Sequence, residues 1–381
     1  SAIQTFKGLS KATNYDQYRS SLNNFRTPPQ NIVFASKEGE IALTIQGQFP
    51  MRHPEQGRFV LDGSTSESAW KGTIPIKHNP SIRNPESGFV SSANQRSTGP
   101  SYPYNYHGRF SDYRGRYLNR RLEEMEKITV EDMMKLQNDN FSIKAEEALP
   151  LLIKYLESPD GHSNGSALLT ELKNWDYRFE RDQEAPTYFQ IWWRNFYKNT
   201  WDEIYALQKE KGAIAFPESY RTIAIMEEDP ESVFFDIQAT DKKENISDIV
   251  RQSFGEMAEE IAGRTAEGQS NLWGDYRPAP IGNLARIPAF GVLDKRISGD
   301  KSALNANSNG AGPSWRMIVE LGEEPRAFGV YPGGQSGNPG SPYYDSMLDY
   351  WAEGKYYELK FWQAAPSDND EEVLFEETYS K

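Results

Sequence analysis

The sequence predicts an α+β fold in which strands at the two ends of the chain flank a helical middle. Three observations predict it. Residues 31–36 and 41–48 are extended, β-branched runs separated by Lys37-Glu38-Gly39-Glu40, the pattern of an antiparallel hairpin. From 112 to about 265, apolar residues recur at spacings of three and four behind helix-start signals. Residues 314–320 and 327–331 then return to the strand pattern as a second pair. That order places distant segments in one sheet, with the helices as an inserted layer.

Taken in order, residues 10–25 read as a helix, with Tyr15, Tyr18 and Leu22 on one face behind the cap Asn14, and Pro28-Pro29 ends it. The stretch 50–87 is rich in Pro, Gly, Ser and His around the single bulky anchor Trp70, and 88–94 reads as a short strand before an aromatic loop through Tyr102-Pro103-Tyr104. Thr129 and Asp132 have capping-box spacing ahead of Met133, Met134 and Leu136. Further helices are expected at 145–156, 166–175, 187–207 and 241–263. A Gly-rich turn at 333–337 leads to a helix at 341–353 and a last strand at 356–361, and there is no internal repeat. The chain thus divides into 1–110, 111–290 (largely helical) and 291–381.

Composition narrows the function. Hydrophobic residues make up 37% and charged residues 25%, the balance of a core-forming chain. Lys plus Arg number 42 against 55 Asp plus Glu, a net charge of −13, which argues against nucleic acid and anionic lipid as partners. No apolar run approaches the roughly 18–20 residues of a membrane helix. The absence of cysteine excludes disulfides, thiolate nucleophiles and Cys-ligated metal, and leaves the redox compartment open. Aromatic residues reach 13%, which suits a large core or a carbohydrate- or acyl-binding cleft; the core is the simpler reading. The start, Ser1-Ala2-Ile3-Gln4, has no basic or apolar leader, so no signal peptide is expected in this chain.

Several motifs dissolve on inspection. Gly161-His162-Ser163-Asn164-Gly165 spells a nucleophile elbow, but a helix precedes it where a strand is required. The Gly-rich turn lacks the G-x-G-x-x-G spacing and a following Lys. His53, His78, His107 and His162 are scattered, which disfavours a His-based metal site, and the acidic run 368–372 reads as solvated surface. An N-terminal Ser1 could be a nucleophile using its own α-amine as base, but no apolar strand follows to carry it into a sheet.

At Asn84-Pro85-Glu86-Ser87-Gly88-Phe89-Val90, followed by Ala93-Asn94-Gln95-Arg96 and Tyr102-Pro103, the chain resembles the penicillin acylase (penicillin amidase) family. The resemblance extends in family order through Glu38-Gly39-Glu40-Ile41, Trp70-Lys71-Gly72-Thr73-Ile74-Pro75, Asp112-Tyr113-Arg114-Gly115-Arg116, Gly312-Pro313-Ser314-Trp315-Arg316-Met317 and Gly334-Gln335-Ser336-Gly337 with Ser341-Pro342-Tyr343-Tyr344. It implies part of an N-terminal nucleophile hydrolase, a sandwich of two antiparallel sheets between helical layers, here with a large helical insertion. It also implies that the chain is the C-terminal part of the large chain of a self-cleaving, periplasmic precursor. The nucleophilic Ser segment and the small chain would be its partners, and the piece alone would be inactive.

Residue by residue, the resemblance makes Asn94 the oxyanion-hole amide and Arg114 the active-site arginine. The latter would lower the pKa of the nucleophile's amine or orient a substrate carboxylate, with Arg116 two positions away as the alternative. Asn94 by itself also reads as a residue capping its own loop. Phe6 and Gln30 fall at acyl-pocket positions. No cofactor is implied; calcium occurs in the family, but its acidic ligands lie mostly outside this chain, and Asn105 and Tyr106 stand where an acid would help. The expected substrate is a small linear amide such as an acylated β-lactam or an N-acyl homoserine lactone. Two alternatives are a non-catalytic binding module on the same fold and an acidic, aromatic-rich carbohydrate-active protein.

Overall fold

The computed structural model describes residues 2–54, 56–57, 59–108, 110–158, 167–307, 312–362, 373 and 377–378. Ser1, the elbow-like 161–165 and the acidic run 368–372 lie outside the described residues. The chain opens with α1 (Ala2–Leu9) and α2 (Tyr15–Leu22), then β1 (Gln30–Ala35), β2 (Ile41–Gln46) and β3 (Ser81–Arg83). There follow α3 (Tyr113–Glu124), α4 (Val130–Gln137), α5 (Ile143–Leu156), α6 (Ala167–Asn174), α7 (Ala185–Thr200), α8 (Asp202–Lys211), α9 (Ser219–Glu228), α10 (Ile246–Ala266) and α11 (Trp273–Tyr276). The last part holds β4 (Ala279–Ile281), β5 (Val292–Lys295), β6 (Arg316–Glu320), β7 (Arg326–Val330), α12 (Leu348–Ala352) and β8 (Tyr357–Leu359).

The first hairpin forms as its sequence pattern requires, with β1 antiparallel to β2 in the register Ile32↔Thr44 and Phe34↔Ala42, and β3 on the far side of β2. One face packs on α2: the Tyr18 hydroxyl donates to the Ile32 carbonyl at 3.0 Å, and Gln46 Nε2 donates to the Leu22 and Phe25 carbonyls at 3.0 and 3.1 Å. The terminal strands pair as β6–β7–β8, again antiparallel. The two ends of the chain do not share a sheet, however. Among the described residues they form separate three-stranded sheets, with β4–β5 as a third small one. Strand pattern states only that a segment will pair; it does not choose the partner.

The helical stretch carries the main core. Trp192, Trp273, Phe179, Phe189, Phe196 and Phe235 are fully buried there, and the polar tips of the tryptophans find carbonyls. Trp192 Nε1 donates to the Val250 carbonyl at 3.3 Å and Trp273 Nε1 to the Gly299 carbonyl at 2.9 Å. The capping box at Thr129 and Asp132 is formed, as is a second at Asn245 and Asp248.

Four expectations change. Residues 88–94 are not a strand, because Asn84, Gly88 and Asn94 all take left-handed backbone (φ +45°, +74° and +67°), which bends the chain out of any ladder. Residues 2–9 form a helix of their own ahead of the expected one. The expected helix 187–207 is broken at Trp201 (φ −115°, ψ 34°), whose indole donates to Thr222 Oγ1 at 3.0 Å on α9, a helix that the sequence pattern did not single out. The helix expected at 341–353 shrinks to α12, because the preceding residues fold back on the Gly-rich turn. A Cβ on Gly334 would lie 2.0 Å from the Tyr343 carbonyl oxygen, so that glycine serves a close backbone approach.

A buried polar strap, 298–307, joins the helical core to the last sheet. The Gly299 amide donates to the Phe179 carbonyl at 2.8 Å, Asn305 Nδ2 to Asn140 Oδ1 at 2.9 Å, and Arg316 Nη2 to Asn305 Oδ1 at 2.9 Å. Within it Asp300 is completely buried and feels the charge of Lys144 on α5, itself buried. Burial works to raise the Asp300 pKa, but the Lys144 charge and hydrogen bonds from Ser302 outweigh it and hold the carboxyl below its usual range. At Lys144 burial wins and its pKa falls.

Asp300→Asn should therefore cost about 3 kcal/mol at neutral pH in urea unfolding, because Lys144 is left buried without its counter-charge. A depressed carboxylate pKa contributes stability that is complete above the ordinary carboxylate range and is lost as pH falls through the native value. The gap between wild type and variant should accordingly close below about pH 4.

Candidate active site

The site is built where the bent segment 91–95 meets the first turns of α3. That helix is seated by its buried face: Tyr113, Gly115 and Tyr117 point inward, and the Tyr117 ring stacks on Phe141 with centroids 4.8 Å apart. The Tyr117 hydroxyl donates to Asp139 Oδ2 at 2.8 Å, and burial followed by that carboxylate pushes its pKa up to about 12. With α3 so anchored, Arg114 and Arg116 diverge. Arg116 makes an ion pair with Glu147 on α5. Arg114 turns to the loop, where its Nη2 donates to Asn94 Oδ1 at 2.7 Å.

Asn94 occupies the left-handed region at φ +67°, which asparagine tolerates better than other non-glycine residues. Its neighbours are tied down on both sides. Ser91 Oγ donates to Asn119 Oδ1 on α3 at 2.6 Å, Asn31 Nδ2 on β1 donates to Ser92 Oγ at 2.5 Å, and the Ala93 amide donates to Gln95 Oε1 at 2.6 Å.

Beside this loop lies an open cleft of about 600 Å³. Gln30, Asn31, Val33 and Ile45 line it from the hairpin, Ser92, Asn94, Gln95 and Ser97 from the loop, and Tyr106 and Phe110 as a stacked pair with centroids 5.7 Å apart. The lining mixes amides and hydroxyls with apolar and aromatic side chains, the combination that holds a small molecule by its body and orients it by its polar end. Arg114 is half-buried, and desolvation lowers its pKa from the usual guanidinium value. Among the described residues no carboxylate lies within ion-pair distance of it.

The structure brings together Asn94, Arg114 and Gln30, the last at the cleft wall. Phe6 lies elsewhere: it is 59% exposed on α1, packs edge-on against Phe25 at 6.1 Å, and does not line the cleft. Phe110, Asn31 and Ser92, unmarked in the sequence, and Tyr106, considered there only beside calcium, also line it, since only the pairing of distant loops shows which aromatic and polar side chains share a cavity. Of the positions considered for calcium, Asn105 donates Nδ2 to the Arg52 carbonyl at 3.0 Å and Tyr106 is stacked in the aromatic pair, and no group of three or more acidic, His or Cys side chains suited to a metal is found among the described residues.

Residues 1–367 match the sequence model of the penicillin amidase family. The chain belongs to the penicillin amidase family. Among its relatives, the chain is 24% identical over 409 residues to acyl-homoserine lactone acylase QuiP of Pseudomonas aeruginosa, an alignment covering 94% of this chain and 47% of that protein. It is 24% identical over 341 residues to penicillin acylase 2 proenzyme of Pseudomonas sp. strain SE83, covering 85% and 43%. This penicillin amidase chain therefore spans about half the length of the curated relatives it matches. The thermostable penicillin G acylase from Alcaligenes faecalis has the same fold, with a TM-score of 0.64 and 16% identity over 94% of this chain and 70% of that one. The expected fold class, part of the N-terminal nucleophile hydrolase sandwich with mixed helices and antiparallel sheets, is the one found.

The divergence of the two arginines makes a direct prediction. Arg116→Ala breaks a partly exposed ion pair and should cost no more than about 1 kcal/mol in denaturant unfolding. It should leave the binding of any cleft ligand unchanged, as measured by calorimetry.

Proposed function

We propose that the complete protein is an amide hydrolase of the acylase type, in which Asn94 supplies one oxyanion donor. The observation that carries this reading is the 2.7 Å hydrogen bond from Arg114 to Asn94 Oδ1. It occupies the acceptor end of the carboxamide and leaves Nδ2 as the donor beside the cleft. An N-terminal Ser supplied by the remainder of the protein attacks the amide carbonyl with its α-amine taking the hydroxyl proton. The carbonyl oxygen gains negative charge, which Asn94 Nδ2 and a backbone N–H of the nucleophile segment stabilise. Collapse expels the amine, which leaves with the proton, and water then releases the acid from the acyl-enzyme. A fixed donor costs little reorganisation as that charge develops, which is why such groups contribute strongly to rate.

The substrate is a small linear amide, with N-acyl homoserine lactones or side-chain acylated β-lactams as the classes that the relatives' names suggest. The apolar side chains of Val33 and Ile45 and the Tyr106–Phe110 pair suit an acyl chain, and Arg114 suits an anionic or strongly polar leaving group. The partners of this chain are the nucleophile segment and small chain of its own precursor, matured by self-cleavage in the periplasm. Two apolar patches support a covering partner: Val33 and Ile82 on the first sheet and Met317 and Val319 on the last are all more than two-fifths exposed. By the same reading, the described chain is inactive alone.

Intact mass and N-terminal sequencing of the full gene product should give two chains, the larger beginning with Ser, and the product should hydrolyse an N-acyl homoserine lactone or a penicillin side chain. Asn94→Ala should lower kcat by about 10²–10³. A single uncleaved chain without a junction Ser would overturn the enzyme reading and leave a binding module in its place.

A further inference from the structure

We infer that Gln95 and Gly115 form a clamp that holds the Asn94 carboxamide in its working orientation. The inference rests on the acylase reading given above and adds to it two positioning residues. Gln95 lines the cleft, yet both ends of its side chain are committed to the loop that carries Asn94. Its Oε1 accepts from the Ala93 amide at 2.6 Å, and its Nε2 donates to the Ser91 carbonyl at 3.3 Å. The carboxamide therefore spans the residues immediately before Asn94 and closes the loop into a small ring.

Gly115 is the other half. A Cβ on that residue would stand 2.9 Å from Gln95 Cβ and 3.0 Å from its Cδ and Oε1. The first distance is closer than real methyl contacts come and the other two are tighter than most, and the nearest atom is the base of the side chain, which cannot swing away. The residue is also flanked by Arg114, so a displaced loop moves Asn94 relative to its own hydrogen-bond partner. Helix interiors disfavour glycine by roughly 0.5–1 kcal/mol relative to alanine, and here the gain is contact between loop and helix. The left-handed backbone at Asn94 is the strained point that the clamp restrains.

The role is one of position: both polar ends of the Gln95 carboxamide are turned to the backbone of the loop, and Gly115 carries no side chain. Displacing a catalytic group by about 1 Å can cost on the order of 10²-fold in rate, so partial loss of the clamp should lower kcat on the order of 10-fold with KM nearly unchanged. The test uses the complete, matured protein acting on an N-acyl homoserine lactone, as wild type, Gln95→Met, Gly115→Ala, Asn94→Ala and the double variants with Asn94→Ala. The single clamp variants should each lose kcat, and Gln95→Glu, which keeps the acceptor for the Ala93 amide, should recover part of the loss.

In the Asn94→Ala background the same changes should have less than about a 2-fold further effect, since groups acting through one residue are not additive. Full additional losses in that background, or unchanged kcat in Gln95→Met and Gly115→Ala, would overturn the clamp while leaving the hydrolase reading intact. Should Gly115→Ala fail to fold, the two Gln95 variants decide alone. Wild type that hydrolyses no amide would remove the hydrolase reading and the clamp with it.

Discussion

The cleft depends on one close approach, that of the 91–95 loop to the backbone of α3 at Gly115. No side chain larger than hydrogen fits between them. This contact is what lets Arg114, one residue earlier on the helix, meet Asn94 at 2.7 Å.

That approach can be held only because α3 is itself immobilised. Its buried face of Tyr113 and Tyr117 belongs to the aromatic core of the helical stretch, and Arg116 and Arg120 tie its outer side to Glu147 and Glu146 on α5. The core is held in turn against the last sheet by the 298–307 strap, where Asn305 bonds Asn140 on one side and Arg316 on the other. Gly299 permits the tight strap, since a Cβ there would lie 2.2 Å from the Asn305 carbonyl. The other cleft wall, the β1–β2 hairpin, is seated on α2 and linked to the loop through Asn31 and Ser92. The helical stretch acts as a chassis, and the site forms at its edge, where two less regular segments are pressed against it.

Much of this was legible beforehand for reasons that can be stated. The hairpin, both capping boxes' stretches and the terminal strand pair rest on local chemistry: alternation, turn residues and side chains that satisfy nearby amides. The aromatic excess reads as core because Trp192, Trp273 and the phenylalanines around them have no solvent-exposed face in the fold. What failed was also local in appearance. Residues 88–94 have the composition of a strand, but Gly88 and Asn94 take left-handed backbone, and the Asn94 side chain meets α3 through Arg114. The stretch 187–207 has unbroken helical periodicity, and only the docking of Trp201 on Thr222 interrupts it.

The sequence by itself determined the class of fold, the elements whose signals are local, the absence of cysteine chemistry within this chain and, through ordered motifs, the family. The tertiary structure decided which strands share a sheet, which of the two arginines on the first turn of α3 reaches Asn94, that Gln30 and not Phe6 borders the cleft, and which aromatic pair lines it. The division follows from range. Propensity, capping and motif order are properties of neighbours along the chain, whereas pairing partner, side-chain direction and cavity lining are set by residues tens to hundreds of positions apart, whose meeting depends on the packing of everything between them.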